Sequence, residues 1–432
     1  MAAAQSQADF FGAMKEFYTN MMADLPNRSA ILMDKIEEAT SVQWGGEGKY
    51  AVVPIHVESG LRGSGAYTEG ADMNVYEAQD YDQMKVYVKS LAFPIELSLE
   101  AREAVKKGPG AFIDSKGSEI EQNMKWLREK QARMGYGDGF GRLGLVEAIS
   151  ETGGTHTIIT LTAESNIRWI RPTMRIDAWA PAYPPANRRN HSGGADSNTT
   201  RDVGWPVTSV TPSARQFRVL GLMVTGAGGD ATVVGDQILP ENVGIGATGN
   251  QYGTGVEFAG FRHLVSDNNI LTTLQGLTLD TYPALKGYRD TAGVDRDITI
   301  DLLQKTVDAI EDEGGKEPDF IAMNKGQRRK LLAIGLTDVR HESQKLKLGY
   351  KELDWNGKKF FVDRLAYPKM IFMGSMSAFK RATLIPLGAI DGSPAGLRIY
   401  RKTAFEWVFG TVGNMFVTHP NQCGWIEDLN EP

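Results

Sequence analysis

Gly244, Gly246 and Gly249 stand at the spacing Gly-x-Gly-x-x-Gly, the pattern that lets a tight turn bring backbone against the pyrophosphate of a dinucleotide. That chemistry needs a strand before the glycines and a helix after them, so that the helix N-terminus meets the phosphates. The residues that follow, NQYGTGVEF, are broken by glycine and carry no helical stripe, so no cofactor is expected there. The run GYGDGFG, from Gly135 to Gly141, lacks the Lys and Ser/Thr of a phosphate loop and reads as a turn after a helix. Zinc chemistry would need closely spaced ligands. The histidines His56, His156, His191, His263, His341 and His419 include no pair four residues apart, and none stands beside the single cysteine. His341-Glu342 is an isolated pair in a charged stretch and reads as surface. No Gly-x-Ser-x-Gly elbow is present. Carboxylates are plentiful, but paired acid–base work depends on separation in space, which spacing along the chain does not fix. No catalytic, cofactor-binding or metal-ligating residue is therefore assigned.

Two cationic clusters remain. Arg188-Arg189 lies in a stretch from Pro181 to Arg201 rich in Pro, Asn, Ser and Gly, and reads as a solvated face of a mobile loop. Arg328 and Arg329, in QRRK, sit on a short helix, where a solvated face competes with contact to an acidic neighbouring surface.

The totals limit the classes. The chain has 432 residues, 41% of them hydrophobic and 23% charged, which suits two or three packed units sharing an interrupted core. A net charge of −6 argues against a protein whose main task is gripping nucleic acid, because that needs a basic surface to displace counterions. Cys423 has no second cysteine to pair with and reads as a small buried side chain. The start, MAAAQSQADFFGAMKEF, has neither the basic region nor the apolar core of a secretory signal. No stretch approaches the ~20 apolar residues that span a bilayer, so no membrane partner is expected.

The elements that must position these residues fall in a definite order. Residues 1–48 read as an arm, with Phe10, Met14, Phe17, Met21 and Leu25 at helical spacing before a Pro26-Asn27 stop, and a second short patch at Ile31, Leu32 and Ile36. This stripe docks either on its own core or on a neighbouring subunit. Tyr50 to Val57 is β-rich and Lys85 to Lys89 alternates, with Val86 and Val88 on one face. A glycine-rich polar stretch carrying Arg62 and Glu69 lies between them. Strands of ~10–15 residues at ~3.3 Å each reach ~35–50 Å. An isolated hairpin is marginal in water, so such an arm must lie on something, and a neighbouring copy is the economical choice.

Ser98 is expected to cap a short helix from Leu99 to Lys107, stopped by Gly108-Pro109. A longer helix follows, with Ser118 and Glu121 as a capping box and Gly135 just past its end. Its apolar stripe is Ile120, Met124, Leu127 and Met134; Glu121–Lys125 and Glu129–Arg133 are i,i+4 pairs on its wet side. From about 140 to 260 the runs GRLGLVEAIS, HTIITLTAE, TMRIDAWA, GWPVTSVTPSARQFRVL and ATVVGDQIL are strand-like. Beyond 260 the chain alternates: a helix over 299–315 with Thr299 as N-cap and a Leu303/Val307/Ile310 stripe, the strand DFIAMN, and a helix KGQRRKLLAIG capped by Asn324. The apolar runs KKFFVDRL and KMIFMG follow, and VFGTVGNMFVTHPNQCGWIEDL closes the chain as an extended element.

In this order the elements resemble the major capsid proteins of tailed bacteriophages, the Hong Kong 97-type fold. VPIHVESGLRGSGAYTEGADMNV and DQMKVYVKSLAFPIELSLEA are similar to that family's extended loop and its passage into the spine helix. GYGDGFGRLGLVEAI resembles the way out of that helix; PDFIAMNKGQRRKLLA and WNGKKFFVDRLAYPKMIFMGSMSAFK resemble the axial domain and the return from it. The resemblance implies an α+β fold. Residues 1–48 would be the N-arm, 49–97 the extended loop, and 98–150 the spine helix and peripheral domain. Residues 151–259 would be an inserted β-rich subdomain, longer than a minimal member needs, 260–400 the axial α/β domain, and 401–432 a return strand of the peripheral domain.

The implied function is a structural shell subunit and not an enzyme. Its partners would be itself, as hexamers and pentamers, with portal, scaffolding and cement proteins, and it would enclose double-stranded DNA without reading its sequence. It would be assembled in the host cytoplasm and end in the virion. Phe10, Met14, Phe17, Arg62, Glu69, Lys85, Lys89, Arg328 and Arg329 are the expected assembly residues. Because the chain begins almost directly with the arm, scaffolding is expected to be separate or already removed, and nothing marks Lys85 or Lys89 as a cross-linker. An encapsulin-like nanocompartment shell is the alternative, disfavoured by length and by the β insertion.

Overall fold

The computed structural model describes residues 35–39, 42–46, 49–58, 68–69, 80–98, 115–152, 155–181, 188–189, 204–223 and 231–241. It also describes residue 243 and residues 256–268, 271–338, 354–355, 357–390, 397–398 and 404–430. Among these, strands form a closed barrel, a central mixed sheet, a long-stranded sheet and the base of an arm, with one long helix running between them.

The barrel accounts for the strand-like runs between 140 and 260. Its antiparallel order is Gln216–Leu220, His156–Leu161, Gly144–Thr152, Gln237–Pro240, Arg175–Trp179 and Trp205–Thr211, which closes on the first. Alternation explains the closure. In His156–Leu161 every second residue is buried, and Ile159, Leu161, Ile176, Ala178, Phe217, Val219 and Ile238 fill the interior at 0–1% exposure. A closed sheet leaves no unpaired edge to recruit another strand by accident.

Arg188 and Arg189 correct the expectation of a solvated pair. Arg188 donates to Asp177 at 2.8 Å, with side chains 1% and 0% exposed. Arg189 donates twice to Asp236, at 2.8 and 2.6 Å. Both carboxylates belong to or border barrel strands, so this pair ties its segment to the barrel wall.

The central sheet runs Tyr288–Asp290, Cys423–Ile426, Ile371–Gly374, Phe320–Met323, Lys358–Val362 and Asp354–Trp355. Its inner strands, FIAM, IFMG and CGWI, are buried at every residue, as strands covered on both faces must be. On one face Ile321, Met323, Ile371, Met373 and Ile426 meet Leu303, Val307 and Ile310 of the helix Ile300–Gly314. On the other, Phe320, Phe372 and Trp425 join the main core with Tyr136, Phe261 and Phe379. The helix starts where expected: the Leu302 N–H donates to the Thr299 hydroxyl at 3.1 Å, and Gly315 closes it in the left-handed conformation. Asn324 likewise caps the helix Lys325–Asp338 through the Gly326 N–H at 3.2 Å.

The expected single closing element is two strands in two sheets. Ala404–Val417 pairs with Phe379–Ala389 on one side and with Lys89–Ser98 on the other. After a turn at Pro420–Gln422, Cys423–Ile426 enters the central sheet instead. Cys423 is fully buried there, and burial pushes its thiol up to about 12.

The long helix spans Ser115–Tyr136, so it starts before the expected capping box and takes in Gly135. Tyr136 explains the later end. It is 1% exposed, packs near Phe261 and Phe372, and its hydroxyl donates to Asp363 at 3.3 Å, so the last turn is held by tertiary burial. The expected glycine turn follows, with Gly139 and Gly141 at positive φ. Glu121 pairs with Lys125 at 2.8 Å as expected. Glu129 and Arg133 do not pair on a wet side; both are buried and find partners elsewhere in the fold. The expected helix Leu99 to Lys107 lies outside the described residues.

Candidate functional site

The arm begins as Tyr50–Glu58 paired with Asp80–Tyr87, in register from Tyr50 opposite Tyr87 to Glu58 opposite Asp80, with Gln43–Gly45 on the outer side. The alternating run expected from Lys85 to Lys89 divides at Val88. Tyr87 ends the arm strand, and Lys89 begins a strand of the long-stranded sheet. The base of the arm has a core of its own. Ala51, Met84 and Val86 are 0–2% exposed, and Ala51 and Val86 cluster with Ala382 and Phe416. The Lys85 N–H donates to the Gln275 carbonyl at 2.8 Å, and the Tyr282 hydroxyl donates to Asp82. That hydroxyl, with the Gln83 N–H, holds the Asp82 carboxyl below its usual range. The described part of the arm therefore lies on its own subunit, which corrects the expectation that it has too little core to rest on.

Lys89 sits in the elbow between arm and sheet. It is 9% exposed, and burial lowers its ammonium to about 8. It shares a small crevice with Glu257, His263 and Asn414. Asn414 locks the elbow by donating to the Tyr87 carbonyl and accepting from the Ala259 N–H, both at 2.9 Å. His263 is also buried, and burial lowers its pKa. Of the expected assembly residues that the structure describes, Lys89 is the one it places inside its own chain.

Of the others, Phe10, Met14, Phe17 and Arg62 lie outside the described residues, as do Gly244 to Gly249 and His341-Glu342. Glu69 is exposed. Lys85 is exposed on the arm, its ammonium 5.8 Å from the centre of the Tyr50 ring. Arg329 is exposed and Arg328 half-buried on a helix fixed by Gln327, which donates to the Pro368 and Asn430 carbonyls, and by Lys330, which pairs with Asp297 at 2.7 Å. Lys85 and Lys89 both line the crevice at the elbow; Arg328 and Arg329 belong to a separate helix beside the central sheet.

A buried polar network at the junction of helix, barrel and sheet has no counterpart among the residues assigned from the sequence. Glu129 of the long helix accepts from Arg171, beside the barrel, and from Arg364, which follows a strand of the central sheet. Four residues on, Arg133 donates to Glu257. Asn166 donates to the Arg364 and Ala366 carbonyls and Trp169 to the Leu365 carbonyl, all at 2.9 Å. Helix, barrel and sheet thus meet in one buried network. A cleft of about 330 Å³ opens beside it, lined by Lys130, Arg133, Arg168, Arg171 and Arg175 with Trp126 and Trp169. The signal was present in NIRWIRPTMR, whose arginines recur at short intervals, but only folding brings them to the helix.

No protein-family model matches the sequence, and no curated protein is detectably similar to it. Solved structures do match. The capsid asymmetric unit of cyanophage A-1(L) aligns over 95% of this chain and 96% of that one, at 9% identity and a TM-score of 0.55. The capsid of an empty GTA particle aligns over 100% of both chains at 10% identity and a TM-score of 0.49. The holo-SrpI encapsulin of Synechococcus elongatus aligns over 99% and 97%, at 8% identity and a TM-score of 0.46. At these identities the likeness to the cyanophage protein is one of fold.

Proposed function

We propose that this chain, which has the tailed-phage major capsid fold, is the shell subunit of a phage head and acts by self-assembly and not by catalysis. The observation that carries the reading is the near end-to-end match of fold to a cyanophage capsid chain, covering 95% of one and 96% of the other. The geometry supports it. The arm is anchored at its base by buried Ala51, Met84 and Val86. The subunit body is joined by the Glu129 network, so force on one part is transmitted to the others. Copies would associate as hexamers and pentamers into an icosahedral shell around double-stranded DNA, with portal, scaffolding and cement proteins as further partners, assembled in the host cytoplasm. Many modest contacts closed by symmetry give a shell stronger than any single interface. Glu69, Lys85 and Arg329, all exposed, are the described residues offered to neighbours.

Electron microscopy of the purified protein at high concentration, with and without a scaffolding partner, tests this. Closed polyhedral particles are expected; a chain that stays monomeric under both conditions would refute it. Particles recovered from infected cells with DNA inside fit a phage head, whereas particles filled with an enzyme would identify an encapsulin-like shell.

A further inference from the structure

The cleft beside the long helix carries more positive charge than the fold uses. Five cations line it against the two carboxylates Glu129 and Glu241. Glu129 is shared by Arg171 and Arg364, and Glu241 accepts the Gly204 N–H at 2.7 Å. Arg175 is spent on the Gly204 carbonyl at 3.0 Å. Three cations are left with unmet capacity. Arg133 is only 5% exposed, and while one of its nitrogens holds Glu257, its Nη1 is buried with no hydrogen-bond partner. Lys130, one turn away on the same helix, has no carboxylate at ion-pair distance among the described residues; its ammonium lies 4.9 Å from the centre of the Trp126 ring. Arg168 is exposed, and its side chain has no partner among the described residues. Burying a guanidinium with an idle N–H is costly unless something accepts it. Glu129 Oε2 is also without a hydrogen bond, but the charge of that carboxylate is already met by two guanidinium groups.

We propose that this cleft binds a phosphate group, with Lys130 and Arg168 as its donors, the Arg133 charge behind them in the cleft wall, and the Trp126 indole flanking whatever the phosphate carries. A carboxylate has two oxygens, which one guanidinium fork can satisfy; donors from two separate side chains beside a third buried cation suit the several acceptor oxygens and higher charge of a phosphate. About 330 Å³ exceeds what a bare ion needs and falls at the small end of ligand sites, which points to a phosphate ester. Aromatic rings beside cations are also how single nucleic-acid strands are held, by stacking with the backbone on the charges. A small phosphate ester and a single strand thus share the same recognition chemistry.

The test is calorimetric titration of the full chain with inorganic phosphate, with a nucleoside monophosphate and with an oligothymidylate, each against chloride at matched ionic strength. Lys130→Gln and Arg168→Gln each remove one donor; Arg168→Gln, which breaks no side-chain contact among the described residues, should leave the melting temperature in chloride unchanged, and Lys130→Gln should lower it only by the loss of its contact with Trp126. Each should weaken phosphate binding by about tenfold, the loss expected for one charge-assisted hydrogen bond. Stronger binding of the oligothymidylate, weakened by Trp126→Phe, would assign a strand; preference for the monophosphate would assign a small ester. Either supports the site. Absence of binding by the unaltered protein, or binding by both glutamine variants as tight as that of the unaltered protein, would overturn it. Shell formation is read separately by microscopy, so particles that form without binding phosphate distinguish failure of the site from failure of the shell reading.

Discussion

Replacing Glu129 by Gln tests whether the buried network joins the three parts of the subunit. The side chain is 8% exposed, and its partners Arg171 and Arg364 are 27% and 14% exposed. Glutamine keeps the shape and one acceptor oxygen but removes the charge that both guanidinium groups face. Removing one partner of a buried ion pair costs ~3–5 kcal/mol, and hydrogen bonds to charged groups contribute ~1.5–3 kcal/mol each. Because Arg171 is partly solvated and one acceptor survives, a loss of ~2–4 kcal/mol is expected. At ~2.1 cal/mol/K per residue, unfolding 432 residues together carries ~0.9 kcal/mol/K, so the melting temperature should fall by ~2–4 °C. If the barrel unfolds separately, its smaller entropy makes the shift larger. Scanning calorimetry gives the value, and Glu121→Gln is the control. Its i,i+4 pair with Lys125 is 66% and 38% exposed, and exposed pairs of this kind contribute under ~1 kcal/mol. Equal melting temperatures for Glu129→Gln and Glu121→Gln would refute the claim that Glu129 holds the junction.

Lys89→Met should change how stability depends on pH. The folded chain holds the Lys89 ammonium near 8, below its ordinary value of 10.5, so between those values the unfolded chain binds more protons and stability rises with pH. Urea midpoints at pH 7 and pH 10 should climb in the unaltered protein by an increment of at most ~3 kcal/mol that the methionine variant lacks; parallel pH profiles would contradict this. Asp177→Ala removes the carboxylate that the buried Arg188 guanidinium faces in the barrel wall and should cost ~3–5 kcal/mol, read as lost hydrogen-exchange protection in Arg175–Trp179. Unchanged protection there would count against the pair as a tie. Gly260→Ala drives a methyl group into the Met134 and Gly137 carbonyl oxygens at the end of the long helix. It should cost at least the ~3 kcal/mol of severe overpacking, and a soluble variant of normal melting temperature would rule the clash out.

What the sequence made legible follows the range of the forces involved. The caps at Thr299 and Asn324 and the barrel strands depend on neighbours a few residues away, and they form as the local pattern predicts. The end of the long helix was set too early because Gly135 is a good stop signal locally, while burial of Tyr136 beyond it is decided by Phe261 and Phe372. Charge went further astray. Glu129 and Arg133 have helical pair spacing, but their partners Arg171, Arg364 and Glu257 lie 42, 235 and 124 residues away. Arg188 and Arg189 looked like surface because their loop is polar, yet Asp177 and Asp236 draw them into the barrel from 11 and 47 residues away. Long side chains choose partners after the backbone has folded, so loop composition does not fix their burial.

The structure at the arm and at the long helix bears on the assembly proposed above. A loose arm on a loosely jointed body would lose entropy at every contact it made, and each interface would have to repay that loss before adding stability. Here the arm strand beginning at Asp80 is clamped at its other end by Asn414 and by Gln275, and its base is closed over Met84. The body is held by Glu129 between barrel and sheet. At the described base of the arm and at the Glu129 joint, these losses are taken during folding. In the shell proposed above, such a fold would offer neighbours a pre-organised surface, and weak contacts between rigid bodies would add when symmetry engages them together. Loosening the Glu129 joint should therefore weaken a shell more than it weakens a subunit, because the flexibility it releases is charged again at each interface the subunit makes.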